Sequence, residues 1–255
     1  MVRTVAPHLI GRRIVSAEFT SRHVTPGDRA KLSKRLKDAV VQSVSRRGKF
    51  ILLKLDSGVF TVHLGMTGKL LVSQNDMKAR TPHTYGIFVL DQGVLLYDDP
   101  RQFGKIEWGS VRADRLGPEP LEIGLEEFVK RLKKHKSRIK PLLLNQKFLA
   151  GVGNIYADES LFSAGIHPLA NASRLSPARA AALHQSIREV LAFAIRQGGS
   201  SISDYVDAEG NRGYFQIHHK VYGREGEPCA ACGTPIRKII VGQRGTHYCP
   251  RCQRR

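Results

Sequence analysis

Four cysteines near the C-terminus constrain this chain more than any other feature. They stand as Cys229-Ala-Ala-Cys232 and, after sixteen residues, Cys249-Pro-Arg-Cys252. Two Cys-x-x-Cys knuckles at such a separation can wrap one tetrahedral zinc ion, each tight turn aiming two thiolates at one point. These are all the cysteines of the chain, and Gly233 supplies the residue that the first knuckle turn needs. Between the knuckles, residues 238–241 and 246–248 read as two short strands of a ribbon with Arg244-Gly245 at its tip. The competing reading is a pair of disulfides in a secreted domain. The N-terminus as written has no apolar signal core, so one structural zinc in a reducing cytoplasm is expected. A small basic ribbon tipped by an arginine points toward nucleic acid.

The charge balance points the same way. Lysine and arginine number 41 against 22 acids in 255 residues, a formal charge of +19. Such an excess favours a polyanion through counterion release, with a generally basic protein of ribosomal type as the bland alternative. A hydrophobic content of 41% supports folded cores and argues against a disordered tail. No apolar run reaches the ~18 residues of a membrane span.

Periodicity predicts two kinds of architecture in succession. A helix is expected over residues 1–12 with Val2, Val5 and Leu9 on one face, then a strand over 14–19 and a short basic helix over 31–37. Strands follow densely at 40–44, 50–55, 59–64, 69–72, 85–90, 93–97 and 105–108. Asp56-Ser57-Gly58 and Asp91-Gln92-Gly93 read as hairpin turns. Seven or eight short strands predict a β-sandwich or flattened barrel. Beyond Leu116-Gly-Pro-Glu-Pro120 the spacing becomes helical. Leu125, Phe128, Val129 and Leu132 share a face, a second helix spans about 137–145, and Gly151-Val-Gly-Asn154 precedes a third over 155–164. Ser176-Pro177 is an N-cap with proline at the first helical position, and that helix stops at Gly198-Gly199. Residues 200–214 read as a polar loop.

A set of motifs extends this reading: Pro7-His-Leu-Ile-Gly11, Arg46-Arg-Gly-Lys-Phe50, His63-Leu-Gly-Met-Thr-Gly68, Asp99-Pro-Arg-Gln-Phe-Gly104 and Leu116-Gly-Pro-Glu-Pro-Leu121. Gly151-Val-Gly-Asn-Ile-Tyr-Ala157, Glu159-Ser-Leu-Phe162, Gly165-Ile-His-Pro168, Gly213-Tyr-Phe215 and Val221-Tyr-Gly-Arg224 follow in order. Over nearly its whole length the chain resembles the bacterial formamidopyrimidine-DNA glycosylases, which excise 8-oxoguanine and ring-opened purines. The endonuclease VIII branch shares the architecture, but Gly213-Tyr-Phe and Leu116-Gly-Pro look more like the formamidopyrimidine branch. The resemblance implies an α+β fold: an N-terminal β-sandwich (1–117), a helix-two-turns-helix DNA-binding domain with a lesion-capping loop at 200–214 (118–215), and a zinc-ribbon finger (216–255). It implies a monomeric, cytoplasmic base-excision-repair glycosylase with abasic-site lyase activity, acting on double-stranded DNA that contains oxidised purines or abasic sites. The alternative is a non-catalytic binder of damaged DNA with the same fold.

Residue by residue, the resemblance assigns Met66, Arg101 and Phe103 to the opened duplex. A thioether fills the space of the flipped nucleotide, a guanidinium meets the orphaned cytosine and a ring wedges a base step. It assigns Asn154, Lys140 and Arg244 to phosphates, Lys49 and Arg244 to the catalytic surroundings of the lesion, and His83 and Lys136 to further DNA contacts. Gly151 and Gly153 would admit a phosphate close to the backbone. Gln102 stands where a second arginine is frequent, and a weaker DNA contact is expected there. Cys229, Cys232, Cys249 and Cys252 are the zinc ligands.

The family's nucleophile is an N-terminal proline exposed by methionine removal and followed by glutamate. An α-amino group titrates near ~8 against ~10.4 for lysine, so it is the better neutral nucleophile. Here the chain opens Met1-Val2-Arg3-Thr4, and its first acid is Glu18. Either the true start lies upstream or the activity is lost or altered. The upstream start is the expectation.

Overall fold

The computed structural model describes residues 1–73, 80–201 and 205–255. Its internal contacts divide the chain into two units, Met1–Asp114 with Gly198–Tyr214, and Arg115–Gln197 with Phe215–Arg255.

The first unit opens with α1 (Val2–Leu9), whose Val5 and Leu9 are buried. β1 (Ile14–Phe19), α2 (Arg29–Leu36), β2 (Val41–Arg47), β3 (Phe50–Leu55) and β4 (Gly58–His63) follow. β5 (Lys69–Ser73), β6 (Thr84–Leu90), β7 (Val94–Asp98), β8 (Lys105–Trp108) and the short α3 (Val111–Asp114) complete the run. The eight strands form two four-stranded antiparallel sheets, ordered β1-β6-β7-β5 and β2-β3-β4-β8. Leu53, Phe60, Val62 and Ile106 of one sheet share a buried cluster with Leu70, Phe88, Leu95 and Tyr97 of the other. Phe60 stacks on Phe88 across the sandwich at 5.7 Å between ring centres. Leu32 and Leu36 of α2 close the same core, and Asp28 caps that helix by accepting from Lys31 N at 2.9 Å. Both expected hairpin turns are present, with Gly58 at φ +143° and Gly93 at +85°.

Residues 198–214 belong to this first unit, although the sequence places them with the helices that precede them. Ala208 is buried in the sandwich core, its N–H donating to Thr4 Oγ1 at 3.2 Å and its carbonyl accepting from Val72 N at 2.9 Å. These contacts are made more than a hundred residues away in sequence, where no local pattern registers them. Residues 202–204 of the expected capping loop lie outside the described residues.

The second unit contains α4 (Leu125–Lys133), α5 (Ile139–Leu144), α6 (Asn154–Ser163), α7 (Pro177–Arg196) and the ribbon β9 (Arg237–Val241) and β10 (Arg244–Tyr248). Phe128, Leu132, Ile139, Leu143, Leu161, Leu183 and Ile187 form its helical core. Ser176 caps α7, accepting from Arg179 N at 3.3 Å. The unit begins at Arg115, just before the expected boundary at Gly117, because Gly117 is clamped onto the α5–α6 turn. Gly117 N donates to Gln146 O at 2.8 Å and Ala150 N to Pro118 O at 2.9 Å. Among the described residues no helix is long and apolar enough to cross a membrane.

Candidate nucleic-acid interface and zinc site

In the first unit, two loops are locked together and present three side chains outward. One joins β4 to β5 and carries Met66; the other joins β7 to β8 and carries Arg101, Gln102 and Phe103. Asp99 is fully buried between them. Its Oδ1 accepts from Thr67 Oγ1, and its Oδ2 accepts from Gly104 N at 2.8 Å and from the Tyr97 hydroxyl at 3.2 Å. Burial first, and Asp99 second, push the Tyr97 phenol far above its ordinary value, so it stays a neutral donor. Arg101 N donates to Thr67 Oγ1 at 3.3 Å, tying the loops a second time. Glycine is needed where the backbones meet. A Cβ on Gly65 would stand 2.6 Å from Gly104 N, and one on Gly104 would collide with the Tyr97 hydroxyl.

From this base Met66 and Phe103 project into solvent, 63% and 53% exposed. The Arg101 guanidinium lies 4.6 Å from the Phe103 ring centre, a cation–π contact. Gln102 instead turns inward. Its backbone is left-handed at φ +54°, its Oε1 accepts from Ser21 Oγ at 2.6 Å, and its Nε2 donates to the Tyr85 hydroxyl at 3.2 Å. It braces the loop from behind. His83 is exposed at the start of β6, in a turn that the buried Asp98 holds by accepting from Thr81 Oγ1 at 2.5 Å and Thr84 Oγ1 at 3.0 Å. Lys49 is exposed in the β2–β3 turn. His63 is held below the usual imidazole range by burial and then by the nearby Arg112 and Lys49. Its Nδ1 accepts from Gly65 N at 3.1 Å, as a neutral ring can. The Met1 amine donates to the Tyr205 hydroxyl at 3.2 Å. Its pKa is lowered by burial, with Asp207 opposing and Arg3 adding to the shift.

In the second unit, α6 carries two adjacent buried carboxylates, Asp158 and Glu159. Glu159 accepts from the backbone N–H groups of Lys220 at 2.9 Å, Val221 at 3.0 Å and Tyr222 at 2.8 Å, fixing the chain that leads into the ribbon. Asp158 pairs with the Lys140 ammonium at 2.6 Å, both side chains wholly buried, and accepts from His247 N at 2.9 Å. Lys140 also donates to Gly245 O at 3.0 Å and Thr246 Oγ1 at 2.7 Å, while Asn154 Nδ2 donates to Gly245 O at 2.9 Å. Three side chains from α5 and α6 therefore converge on β10 directly beside the exposed Arg244. In the α5–α6 turn, Gly151 is left-handed at φ +80° and needs glycine, whereas Gly153 caps α6 at φ −111°, an ordinary extended value.

The four cysteine sulfurs lie within 4.8 Å of one another. Cys229 to Cys252 is 3.9 Å and Cys232 to Cys249 is 3.5 Å, too far for disulfide bonds of about 2.05 Å. A tetrahedron with metal–sulfur bonds of ~2.3 Å has edges of about 3.8 Å, and both separations sit near that value. The thiolate set fits one structural zinc. Gln253 seats the second knuckle, accepting from Cys249 N at 2.8 Å and donating to Ile166 O at 2.9 Å.

Known families and proteins match this arrangement along its length. The formamidopyrimidine-DNA glycosylase N-terminal domain matches residues 1–106, the family's H2TH domain residues 116–206, and the zinc finger found in FPG and IleRS residues 226–255. A formamidopyrimidine-DNA glycosylase of Solibacter usitatus is 54% identical over 260 residues, covering 100% of this chain and 97% of its own. The chain belongs to the formamidopyrimidine-DNA glycosylase family. Among solved family structures, Lactococcus lactis Fpg with abasic-site DNA aligns at TM-score 0.92 and 37% identity, covering 100% of this chain and 97% of that one. The Thermus thermophilus protein aligns at TM-score 0.89 and 39% identity, covering 99% and 95%.

Within this family member, the structure brings Met66, Arg101 and Phe103 onto one pair of clamped loops, and Asn154, Lys140 and Arg244 onto one ribbon junction. Lys136 is exposed ahead of α5. One expectation is corrected. Lys140 was assigned to a phosphate, but its ammonium has no accessible surface and is committed to Asp158, Gly245 and Thr246. The expected Asn154 donor is partly engaged by Gly245 O, leaving its second N–H. Sequence reasoning missed Asp99, Asp158 and Glu159 as positioning groups. For Asp158 and Glu159 the available signal was an adjacent acidic pair flanked by the core residues Ala157 and Leu161.

Replacing Cys249→Ser should release the zinc and abolish most DNA binding, read by metal release and duplex titration. The sole tryptophan, Trp108, sits in the first unit, and its fluorescence should be unchanged.

Proposed function

We propose that this chain acts in base excision repair as a DNA glycosylase for oxidised purines, 8-oxoguanine and formamidopyrimidines, with abasic-site lyase activity through a Schiff base. The observation that carries the reading is the outward trio of Met66, Arg101 and Phe103 on loops fixed by a buried carboxylate. Two large apolar side chains stand exposed beside a guanidinium. They suit the gap left when a nucleotide is flipped out of a duplex. Solved relatives support the substrate class: Lactococcus lactis Fpg structures hold DNA containing Fapy-dG or an abasic site.

In this reading Met66 occupies the vacated space, Phe103 wedges the neighbouring step and Arg101 hydrogen-bonds the orphaned cytosine. Arg244 and Asn154 take phosphates, with Lys49, His83 and Lys136 making further contacts along the backbone. Zinc shapes the ribbon that presents Arg244. The protein acts as a monomer in the cytoplasm. The chemical step needs a neutral amine to attack the sugar C1′ and expel the base before strand-cleaving elimination.

The test uses an 8-oxoguanine duplex with borohydride trapping. The 255-residue chain is compared with one that carries a Met-Pro-Glu-Leu-Pro-Glu opening aligned on the family pattern. The extended chain should excise the base and trap covalently, and the unextended chain should trap little. An extended chain that binds the duplex but neither excises nor traps overturns the glycosylase reading. In the extended chain, Arg101→Ala should weaken lesion-duplex binding about tenfold, the scale of one lost bidentate base contact. It should also erase the preference for cytosine opposite the lesion, measured as the ratio of dissociation constants for the cytosine and adenine duplexes.

A further inference from the structure

We infer that Asp158 and Lys140 form a positioning pair for Arg244. On the proposed function's reading, they set the affinity of the ribbon for a phosphate without touching DNA themselves.

Arg244 opens β10 and is exposed, on a two-stranded ribbon whose turn, Gly242-Gln243, is left-handed at φ +57° and +60°. Within the ribbon Arg244 pairs with Val241, and its carbonyl accepts from Thr246 Oγ1 at 3.0 Å. Further fixing groups come from the helices. Lys140 and Asn154 donate to the same carbonyl, Gly245 O, at 3.0 and 2.9 Å. Lys140 also donates to Thr246 Oγ1 at 2.7 Å, and Asp158 accepts from His247 N at 2.9 Å. Residues 245, 246 and 247 are thus each held by a side chain of α5 or α6, and residue 244 is the next along the strand. The Lys140–Asp158 contact at 2.6 Å makes the arrangement self-consistent. Without Asp158 the ammonium would be a buried, unpaired charge, which is strongly unfavourable. Without Lys140 the carboxylate would keep only His247, through its N–H at 2.9 Å and its Nδ1 at 3.6 Å, and Gly245 O would keep only Asn154. The pair therefore fixes the direction in which the Arg244 side chain leaves the ribbon. An arginine held in place forms its phosphate contact without first being ordered.

The pair is distinct from a simple fold determinant because its effect should run through one residue, and a double-mutant cycle reads that. Asp158→Asn, Arg244→Ala and the double variant are made in the 255-residue chain. Binding is measured on a duplex carrying a tetrahydrofuran abasic analogue across a range of salt, with zinc content checked for each protein. Asp158→Asn should weaken binding about tenfold and lower the salt slope by about one, the signature of one lost phosphate contact. In the Arg244→Ala background the same change should cost less than about twofold. Equal losses in both backgrounds, with Arg244→Ala itself impaired, would overturn the positioning role and leave the DNA-binding reading standing. An Arg244→Ala chain that binds like the parent would overturn the ribbon's contact with DNA, and this inference with it.

If Asp158→Asn loses zinc, Lys140→Met with Asp158→Leu replaces the pair by apolar side chains without stranding a buried charge. That chain should keep zinc and show the same loss of affinity and slope. Parental affinity and slope in it would contradict the inference.

Discussion

Each unit depends on a buried aspartate that holds two backbone segments in register. Asp99 gathers the Thr67 and Tyr97 hydroxyls and the Gly104 N–H. Asp158 gathers the Lys140 ammonium and the His247 N–H. A carboxylate taken out of water is costly unless paired and hydrogen-bonded, and both are surrounded by donors from separate elements. Removing one partner of a buried charged pair such as Lys140–Asp158 costs on the order of 3–5 kcal/mol, so that contact fixes geometry firmly. The side chains carried by the same segments, Met66, Arg101, Phe103 and Arg244, are exposed.

That division explains an otherwise awkward surface. Met66 and Phe103 are exposed, while the Asp99 carboxylate between their loops is fully buried. A chain optimised only for its own stability would bury the apolar groups and expose the charges. The inversion is what a site needs when its apolar side chains must meet a partner and its loops must already be in place before the partner arrives. Gln102 belongs to the same device. It spends a left-handed backbone and both ends of its amide on Ser21 and Tyr85, which supports the turn between Arg101 and Phe103 from inside the sandwich. The zinc site acts likewise in the second unit. Cys249 is both a sulfur donor and, through its N–H, a partner of Gln253, so the knuckle is seated on the loop after α6 as well as closed on its metal.

Much of this architecture was legible in the sequence because local signals were strong. Every strand of the sandwich falls where alternation and turn residues placed it, and the cysteine spacing foretold the sulfur cluster. Three things were not legible. The four-residue helix Val111–Asp114 buries only Ala113, too little pattern to register. Residues 198–214 follow a helix in sequence but pack on α1 and β5 through Ala208, a contact between distant parts of the chain. Lys140 was assigned to a phosphate by the family resemblance alone, which says nothing of its burial. Its burial follows from Asp158, eighteen residues later and a full element away. The exposed positions Met66, Arg101, Phe103 and Arg244 were readable as motifs. The groups that hold them were not, because their partners are assembled only by the fold.

The central claim is that the exposed contact residues work only from a backbone fixed by buried carboxylates. Asp99→Asn tests it most directly, since it changes one buried atom and leaves Met66, Arg101 and Phe103 in the sequence. With its oxygen toward Gly104 N and the Tyr97 hydroxyl the amide accepts from both, but its NH₂ then faces Thr67 Oγ1, whose hydroxyl loses its acceptor. The measurement is the ratio of dissociation constants for a lesion duplex with cytosine or adenine opposite the lesion. The account predicts that Asp99→Asn erases the preference as fully as loss of the Arg101 side chain does. A variant that keeps the parental ratio would contradict it.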